Sequence, residues 1–382
     1  MRRALLSAAL AGMAVPAAAE VRIRRAQRPL TDGWRRIAVE ARGLTTLGVS
    51  FRPLQARALG LDPRAALLQL LPLEFEVLRL AAHWDAIETH PGDLRADDLD
   101  WQIEAAARAG KQIVLCVGAV KAFGYPELFV PAHRLNAPLP EHTVIGAETH
   151  GALLEAAIDF VTRMVGRYRD RPEIIAWQVE HEAVDPLGLE HSWRLSTAFL
   201  EAEIAAVRAA DPDRPVLLNG FLPASLPVRL QQWWRTRGQG DSLSVAEHLA
   251  DVVGVDYYPR HALLGVGPLA MYLDGHNSPW PARRLTALLA RAQQRGQRVI
   301  VSEGQAEPWE TATTPPSPAG GGMSSCLPEH VIENYNRCMA VANGCGVRLS
   351  SYMFWGAEYW LQRQQGGDPR YLEAFKRVLD DA

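Results

Sequence analysis

A single α/β domain folded as a (β/α)8 TIM barrel is predicted by three observations. Short apolar runs rich in β-branched and aromatic residues alternate with helical stretches eight times along the chain, the order that gives a parallel sheet. The first run is followed by Phe51-Arg-Pro-Leu54 and not by a glycine-rich phosphate loop, which disfavours an open doubly wound sheet. Two runs, Ile174 to Glu182 and Arg298 to Glu303, end in carboxylates. Burying a carboxylate is costly unless it is paired, so such endings belong at the open mouth of a barrel, at the carboxyl ends of its strands.

The elements follow in order. Met1-Arg2-Arg3, the apolar stretch Ala4 to Val15 and Ala17-Ala-Ala19 make residues 1–19 a secretory signal peptide, so the domain is expected to span 20–382. Residues 20–43 are rich in arginine without a period and are expected to be an irregular N-terminal lead-in. Leu47 to Phe51 is the first strand. Asp62-Pro63 starts a helix, with Asp as cap and Pro in the first turn. The second strand, Phe75 to Ala82, carries Arg79 in its middle, and an arginine there needs a partner. After a Pro-Gly loop comes a helix with Leu99, Ile103, Ala106 and Ala107 on one face, closed by Gly110. Gln112 to Val117 is the third strand, and the proline-containing segment Ala119 to Thr149 reads as a functional loop over the mouth. The helix Leu153 to Tyr168 leads into the fourth strand, and Trp193 to Ala209 is the next helix. Val216 to Asn219 is the fifth strand. Short helices around Arg229 and Ala246 precede the sixth, Asp251 to Tyr258. A helix capped by Ser278-Pro279 precedes the seventh strand, which ends in Glu303. The Pro/Gly/Ser-rich loop Thr313 to Ser325 and the helix Pro328 to Ala342 lead to the eighth, Arg348 to Trp355, and Tyr371 to Leu379 closes the chain.

Composition removes several function classes. The formal net charge of −3 becomes −5 once Arg2 and Arg3 leave with the signal peptide, and no basic block remains to track a phosphate backbone, so no nucleic-acid partner is expected. No stretch reaches about 18 uninterrupted apolar residues, so no membrane span is expected. Cys116, Cys326, Cys338 and Cys345 contain no Cys-x-x-Cys pair, which argues against a thiolate zinc site; one disulfide among the last three is expected in an oxidising compartment. No cofactor and no metal is expected.

Two carboxylates facing one another across a barrel mouth suit glycosidic chemistry. One protonates the leaving oxygen while the other attacks or activates water. Glu182 and Glu303 fit those roles. At this point the residues resemble a known group. Val77-Leu-Arg79 with Trp84, Ile87-Glu88 and Pro91-Gly92, then Trp177 to Glu182, Ser302-Glu303-Gly304 and Phe354-Trp355-Gly356 are similar to the motifs of clan A glycoside hydrolases, the retaining (β/α)8 group that includes families 5 and 42. The likeness runs from the first strand to Trp360. It implies that Glu182 is the acid/base and Glu303 the nucleophile, that Arg79 holds Glu303 ionised, and that Tyr258, or alternatively Tyr257, stands beside it. Trp355 would form the floor under the sugar, with Trp84 a further substrate-binding aromatic. Trp309 and Trp360 are open to the same reading, although loop packing is the commoner fate of a tryptophan. One departure is His181, which stands where families 5 and 42 have Asn, as in family 26 mannanases. An imidazole N–H there would donate to the sugar hydroxyl beside the reacting carbon.

The function expected is an exported, retaining O-glycoside hydrolase acting on a β-linked glycoside or polysaccharide, secreted or periplasmic, with carbohydrate as its partner. Two other readings are weighed against it. Glu180, His181 and Glu182 could bind a metal with His83 or His261, but neighbouring residues on a strand point to opposite faces. A catalytically silent barrel could bind glycans through its aromatics, but both carboxylates are present.

Overall fold

The computed structural model describes residues 21–185, 192–223, 225–236, 239–266, 269–276, 278–309 and 321–382; the expected signal peptide lies outside them, as does most of the 313–325 loop. Eight parallel strands close into a barrel. They are β1 (Thr46–Ser50), β2 (Val77–Ala81), β3 (Gln112–Cys116), β4 (Ile174–Gln178), β5 (Val216–Phe221), β6 (Val252–Tyr257), β7 (Arg298–Gln305) and β8 (Ser351–Trp355), with β8 bonded back to β1. A helix follows each: α1 (Pro63–Leu70), α2 (Asp97–Arg108), α3 (Gly151–Tyr168), α4 (Thr197–Ala210), α5 (Ser242–Leu249), α6 (Pro279–Gln294), α7 (Pro328–Cys345) and α8 (Arg370–Asp381). The eight runs read from the sequence are these eight strands. Local signals act as expected: the Asp62 side chain accepts from the backbone N–H of Ala65 ahead of α1, and Leu99, Ile103 and Ala106 are the buried stripe of α2.

Strand parity explains where the polar residues go. Alternate side chains face the axis, and Val77, Val114, Ala176, Leu217, Val252, Ile300 and Met353 form one apolar layer drawn from seven strands. Two residues further along the same strands stand Arg79, Cys116, Gln178, Asn219, Gly254, Ser302 and Trp355. The same alternation therefore sets a largely polar layer above an apolar one, and Arg79 enters the barrel because Val77 does.

One break in parity matters. Between β6 and β7 the register runs Val255 to Val301 and then Asp256 to Glu303, so Ser302 is the extra residue of a β-bulge. In a regular pleat Ser302 and Glu303 would face opposite sides. Bulged, both point inward, Ser302 to Asp256 and Glu303 to Arg79. Gly304 completes the turn: a Cβ there would come within 2.2 Å of Tyr352 Oη.

Three expectations change. The arginine-rich lead-in is not irregular throughout, because Val21–Arg25 is a strand paired antiparallel with Leu269–Asp274, itself paired with Arg260–Val266. This three-stranded sheet lies outside the barrel. Its outer strand exposes its arginines, so it lacks the apolar content that marks a buried strand. No disulfide forms among the three clustered cysteines, since Cys338 and Cys345 are both free thiols. The fourth strand ends at Gln178, before the charged residues. No helix among the described residues is long and apolar enough to cross a membrane.

Candidate active site

Beyond Gln178 the chain turns through left-handed conformations at Glu180 (φ +59°) and Glu182 (φ +43°). Such angles are uncommon for residues with a Cβ and cost on the order of 1–3 kcal/mol each. The loop after β3 holds them in place. The Glu180 carboxylate accepts from the backbone N–H of Val120 at 2.8 Å and from that of Lys121. The backbone N–H of His181 donates to the Lys121 carbonyl at 2.8 Å, and Lys121 Nζ donates to the carbonyls of Glu182 (2.7 Å) and Asp185 (2.9 Å). Gly118 permits this approach, because a Cβ there would lie 2.1 Å from Glu180 N. The turn separates three neighbouring side chains. Glu180 is buried against Glu203, while His181 reaches Glu303 and Glu182 lies among Asp256, Asp185 and Glu303.

Glu303 is 2% exposed and has three donors. Arg79 Nη1 donates to Oε1 at 2.7 Å, His181 Nε2 lies 2.9 Å from the same oxygen, and Tyr258 Oη donates to Oε2 at 2.7 Å. An ionised carboxylate only accepts, so His181 Nε2 carries the hydrogen. Burial works against the charge on Glu303, yet His181, Arg79 and the Tyr258 hydroxyl bring its pKa down to about 2. Burial also lowers the proton affinity of His181 itself, so at neutral pH the ring helps Glu303 as a neutral N–H donor while Arg79 supplies the positive charge.

Glu182 is the opposite case. Burial first, then the charges of Asp256, Asp185 and Glu303, raise its pKa well above the ordinary glutamate value, so it holds a proton where Glu303 does not. Asp256, fully buried, is raised to about 8 by burial and by Glu303. It ends a chain of hydrogen bonds inside the barrel: Arg79 Nε to Gln178 Oε1 (2.7 Å), Gln178 Nε2 to Asn219 Oδ1 (3.0 Å), and Asn219 Nδ2 to Asp256 Oδ2 (2.5 Å), with Ser302 Oγ donating to Asp256 Oδ1 (2.7 Å). Asp256 carries its charge above about pH 8, and removing that charge there stabilises the ionised form of Glu182. Asp256→Asn should therefore move the basic limb of the kcat/KM profile to lower pH, a shift read directly from rates across pH.

The structure sorts the remaining expectations. Of the two tyrosines, Tyr258 reaches Glu303, while Tyr257 faces the apolar core and its hydroxyl is buried without a partner. Trp355 lies at the mouth in one apolar cluster with Phe123, Phe221 and Tyr258, with the Arg52 guanidinium 4.2 Å from its ring centre. Arg52 is fixed there by Glu307 and Glu358, each within 3 Å. Trp84 does not fit the substrate-binding role. It is fully buried, stacked on Phe160, and its Nε1 donates to Glu88 at 2.6 Å, because the chain turns into a helical segment straight after β2. Trp360 is likewise buried, with Nε1 on the Ala306 carbonyl. His181 is held by Glu303 and not directed at a sugar hydroxyl through Nε2 as expected. His181→Ala removes one of three donors to the carboxylate and should lower kcat/KM by about 1–3 kcal/mol in transition-state terms, with His181→Asn losing less.

The metal reading built on Glu180, His181 and Glu182 does not survive, since Glu180 is taken by backbone amides, His83 is stacked on Phe129 and His261 on Trp309. Another trio, His181, Asp256 and Glu303, brings one ligand atom each within 4.8 Å. Those atoms already meet donors: Arg79 and Tyr258 on Glu303, Asn219 and Ser302 on Asp256. A guanidinium at 2.7 Å occupies the electrostatic place a cation would take.

Sequence reasoning missed Gln178, Asn219, Asp256 and Lys121. The first three carried a signal, a polar residue at an inward position of an otherwise apolar strand, but it is decoded only when the inward parity of each strand is known. Lys121 acts on backbone carbonyls of a distant turn, and no local pattern announces that.

Neither a protein-family profile nor a curated protein matches the sequence. Solved structures do match in fold. An exo-β-1,4-mannosidase from Opitutaceae bacterium strain TAV5 is 13% identical, with a TM-score of 0.55 over 90% of this chain and 62% of that one; the chain thus spans less than two thirds of the mannosidase's length. A GH5_18 protein from Streptomyces cattleya in complex with GlcNAc is 15% identical, with a TM-score of 0.56 over 88% of this chain and 81% of that one. Xylanase 10B from Thermotoga maritima is 14% identical, with a TM-score of 0.52 over 90% and 98%. What this chain has in common with them is the fold: a closed (β/α)8 barrel with its helices on the outside.

Proposed function

We propose that this chain is a retaining O-glycoside hydrolase of clan A type that cleaves β-linked glycosides or polysaccharides by double displacement. One observation carries the reading: at the same mouth, Glu303 is held ionised by Arg79, His181 and Tyr258 while Glu182 is held protonated by burial and neighbouring negative charge. That is the division of labour the reaction needs. Glu182 gives its proton to the glycosidic oxygen as a Glu303 oxygen attacks the anomeric carbon and the bond to the leaving group breaks. Water then attacks the glycosyl ester, Glu182 takes its proton, and Glu303 leaves as carboxylate. The protein leaves two buried polar atoms without partners here, Arg79 Nη2 and His181 Nδ1, and a sugar hydroxyl can both donate and accept. The names of two fold neighbours, the exo-β-1,4-mannosidase and a β-galactosidase from Rahnella sp. R3, support a β-linked substrate. A silent glycan-binding barrel would have no use for carboxyl groups poised in opposite protonation states.

The test is the configuration of the first product. Proton NMR during hydrolysis of an aryl β-glycoside should show the β-anomer appearing first; the α-anomer first would replace this mechanism with single displacement. We further propose that the protein is exported. Material recovered from the periplasm or medium of the native host should begin at or near Glu20 on amino-terminal sequencing, and a retained Met1 would refute export by this leader.

A further inference from the structure

The helix Leu226–Thr236, between β5 and α5, is amphipathic in the inverse sense: polar residues face the barrel and apolar ones face water. Ser225 precedes it as a cap, its Oγ accepting from the Val228 backbone N–H at 3.4 Å, and Pro227 stands in the first turn. The covered side carries Gln232 and Thr236, both buried. Gln232 Nε2 donates to the two oxygens of Asp185 at 3.2 and 3.1 Å, and Thr236 Oγ1 to the Gln232 carbonyl at 3.1 Å. Asp185 is fully buried, so these bonds fix which side of the helix turns inward. The other side carries Leu230, Trp233 and Trp234 at i, i+3 and i+4, and they are 37%, 64% and 68% exposed. Two neighbouring tryptophans left mostly in water mark a contact surface.

Cations border that face. Arg229 stands one turn before Trp233 and Arg235 follows Trp234; neither is paired with a carboxylate among the described residues. Arg284 of α6 lies close to Arg229, and its Nη1 is buried without a hydrogen-bond partner. The carboxylates within reach of Arg284 are engaged elsewhere. Asp241 caps α5 through the backbone N–H of Ser244 at 2.8 Å, and Glu247 holds Arg291 through two bonds of 2.7 Å. The face is therefore apolar at its centre and positive at its border.

We propose that this face docks the protein on an anionic phospholipid surface, with Leu230, Trp233 and Trp234 at headgroup depth and Arg229 and Arg235 on the phosphates. Arg284 adds positive charge behind them. The inference goes beyond the hydrolase reading and does not depend on it. Tryptophan suits the interface because its rings are apolar and its edge donates, and arginine matches phosphate with a planar fork. Eleven helical residues rise about 16 Å, so the helix lies on a bilayer and does not cross it. Other occupants supply only half of the match. A second copy joined through the same face would set the arginines against their own counterparts, and a neutral glycan would leave them without counter-charge.

The experiment sediments the full chain with vesicles of phosphatidylcholine alone and of phosphatidylcholine and phosphatidylglycerol in equal parts. The parent should bind the anionic vesicles in preference, and less tightly as salt rises. Replacing Trp233 and Trp234 together by Ser should weaken that binding at least about tenfold, and Arg229→Gln and Arg235→Gln about fivefold each. Leu44→Ser, an exposed apolar residue at the opposite end of the barrel, should change nothing. Losses are read as ratios to the parent, so a contribution from residues 1–19 cancels. Lipid brominated in its acyl chains should quench part of the parent's tryptophan emission, and that part should be missing in the Trp233→Ser, Trp234→Ser protein. Binding unchanged in that protein, or equal on both kinds of vesicle, would overturn the proposal. So would sedimentation velocity showing a dimer that the tryptophan substitutions dissociate, which would give the face to a second copy. Retention on immobilised polygalacturonate with no binding to vesicles would give it to an acidic polysaccharide instead.

Discussion

Glu303→Ala should abolish turnover of every glycoside, by roughly 10⁴-fold or more, while Glu182→Ala should spare activated aryl glycosides and recover further with azide. The asymmetry follows from what each carboxyl group does. Glu303 forms the bond to the anomeric carbon in the first step and is displaced in the second, so no substrate avoids it. Glu182 contributes a proton, a service worth about 10²–10⁴-fold where the leaving oxygen is basic and little where it is a nitrophenolate. In Glu182→Ala the glycosyl intermediate then waits, because no base activates water. Azide needs no base, and the β-glycosyl azide should accumulate. Rates on 4-nitrophenyl and unactivated glycosides, with and without azide, are the measurement. Azide rescue of Glu303→Ala to an α-glycosyl azide, with none for Glu182→Ala, would exchange the two assignments.

Arg79→Met should damage both activity and stability, in a pH-dependent way. The guanidinium is fully buried with Nη1 at 2.7 Å from Glu303, and removing one member of such a pair costs about 3–5 kcal/mol because the remaining charge is uncompensated. Glu303 escapes by binding a proton. In the parent its pKa is about 2, below the ordinary 4.5, so its stabilising contribution is present above the ordinary value and is lost as pH falls towards 2. In the variant that contribution is absent at every pH, and protonation relieves the unpaired charge on the acid side. The difference in Tm between parent and variant should thus be largest near neutral pH and shrink towards about pH 3, while the acid limb of kcat/KM moves to higher pH. A Tm difference that is constant across pH would mean that Arg79 acts through its packing over Phe123, whose ring centre lies 4.0 Å from the guanidinium carbon.

The parts legible in the sequence are those set by local chemistry. Each barrel strand announced itself because a strand covered on both faces must be apolar, and Arg79, Glu182 and Glu303 stood out as charges where such strands carry none or end. What was hidden depended on register. The inward aim of Asn219 and Asp256 is a matter of parity. The bulge at Ser302, which turns Glu303 inward, exists only in the pairing of β6 with β7. Trp84 was misjudged for a related reason: proximity in sequence to the second strand's carboxyl end said nothing about which side of the following turn its indole would take. The strand Val21–Arg25 escaped because its partner, Leu269–Asp274, lies far along the chain and its exposed arginines disguise the alternation of Val21 and Ile23.

The hydrogen-bond chain through the barrel also bears on when the protein becomes competent. Arg79 and Glu303 are 224 residues apart, and the links between them come from β4, β5 and β6. A nascent or truncated chain holding only the first half of the barrel has the cation without its counter-charge; the second half alone has the carboxylate without the cation. Neither fragment holds Arg79, Glu182 and Glu303 together, so competence arrives all at once, with the docking of the last strands. Turnover is in that sense an assay of topology: two separately made halves, or a circularly permuted chain, that regain hydrolysis must have rebuilt the entire ring.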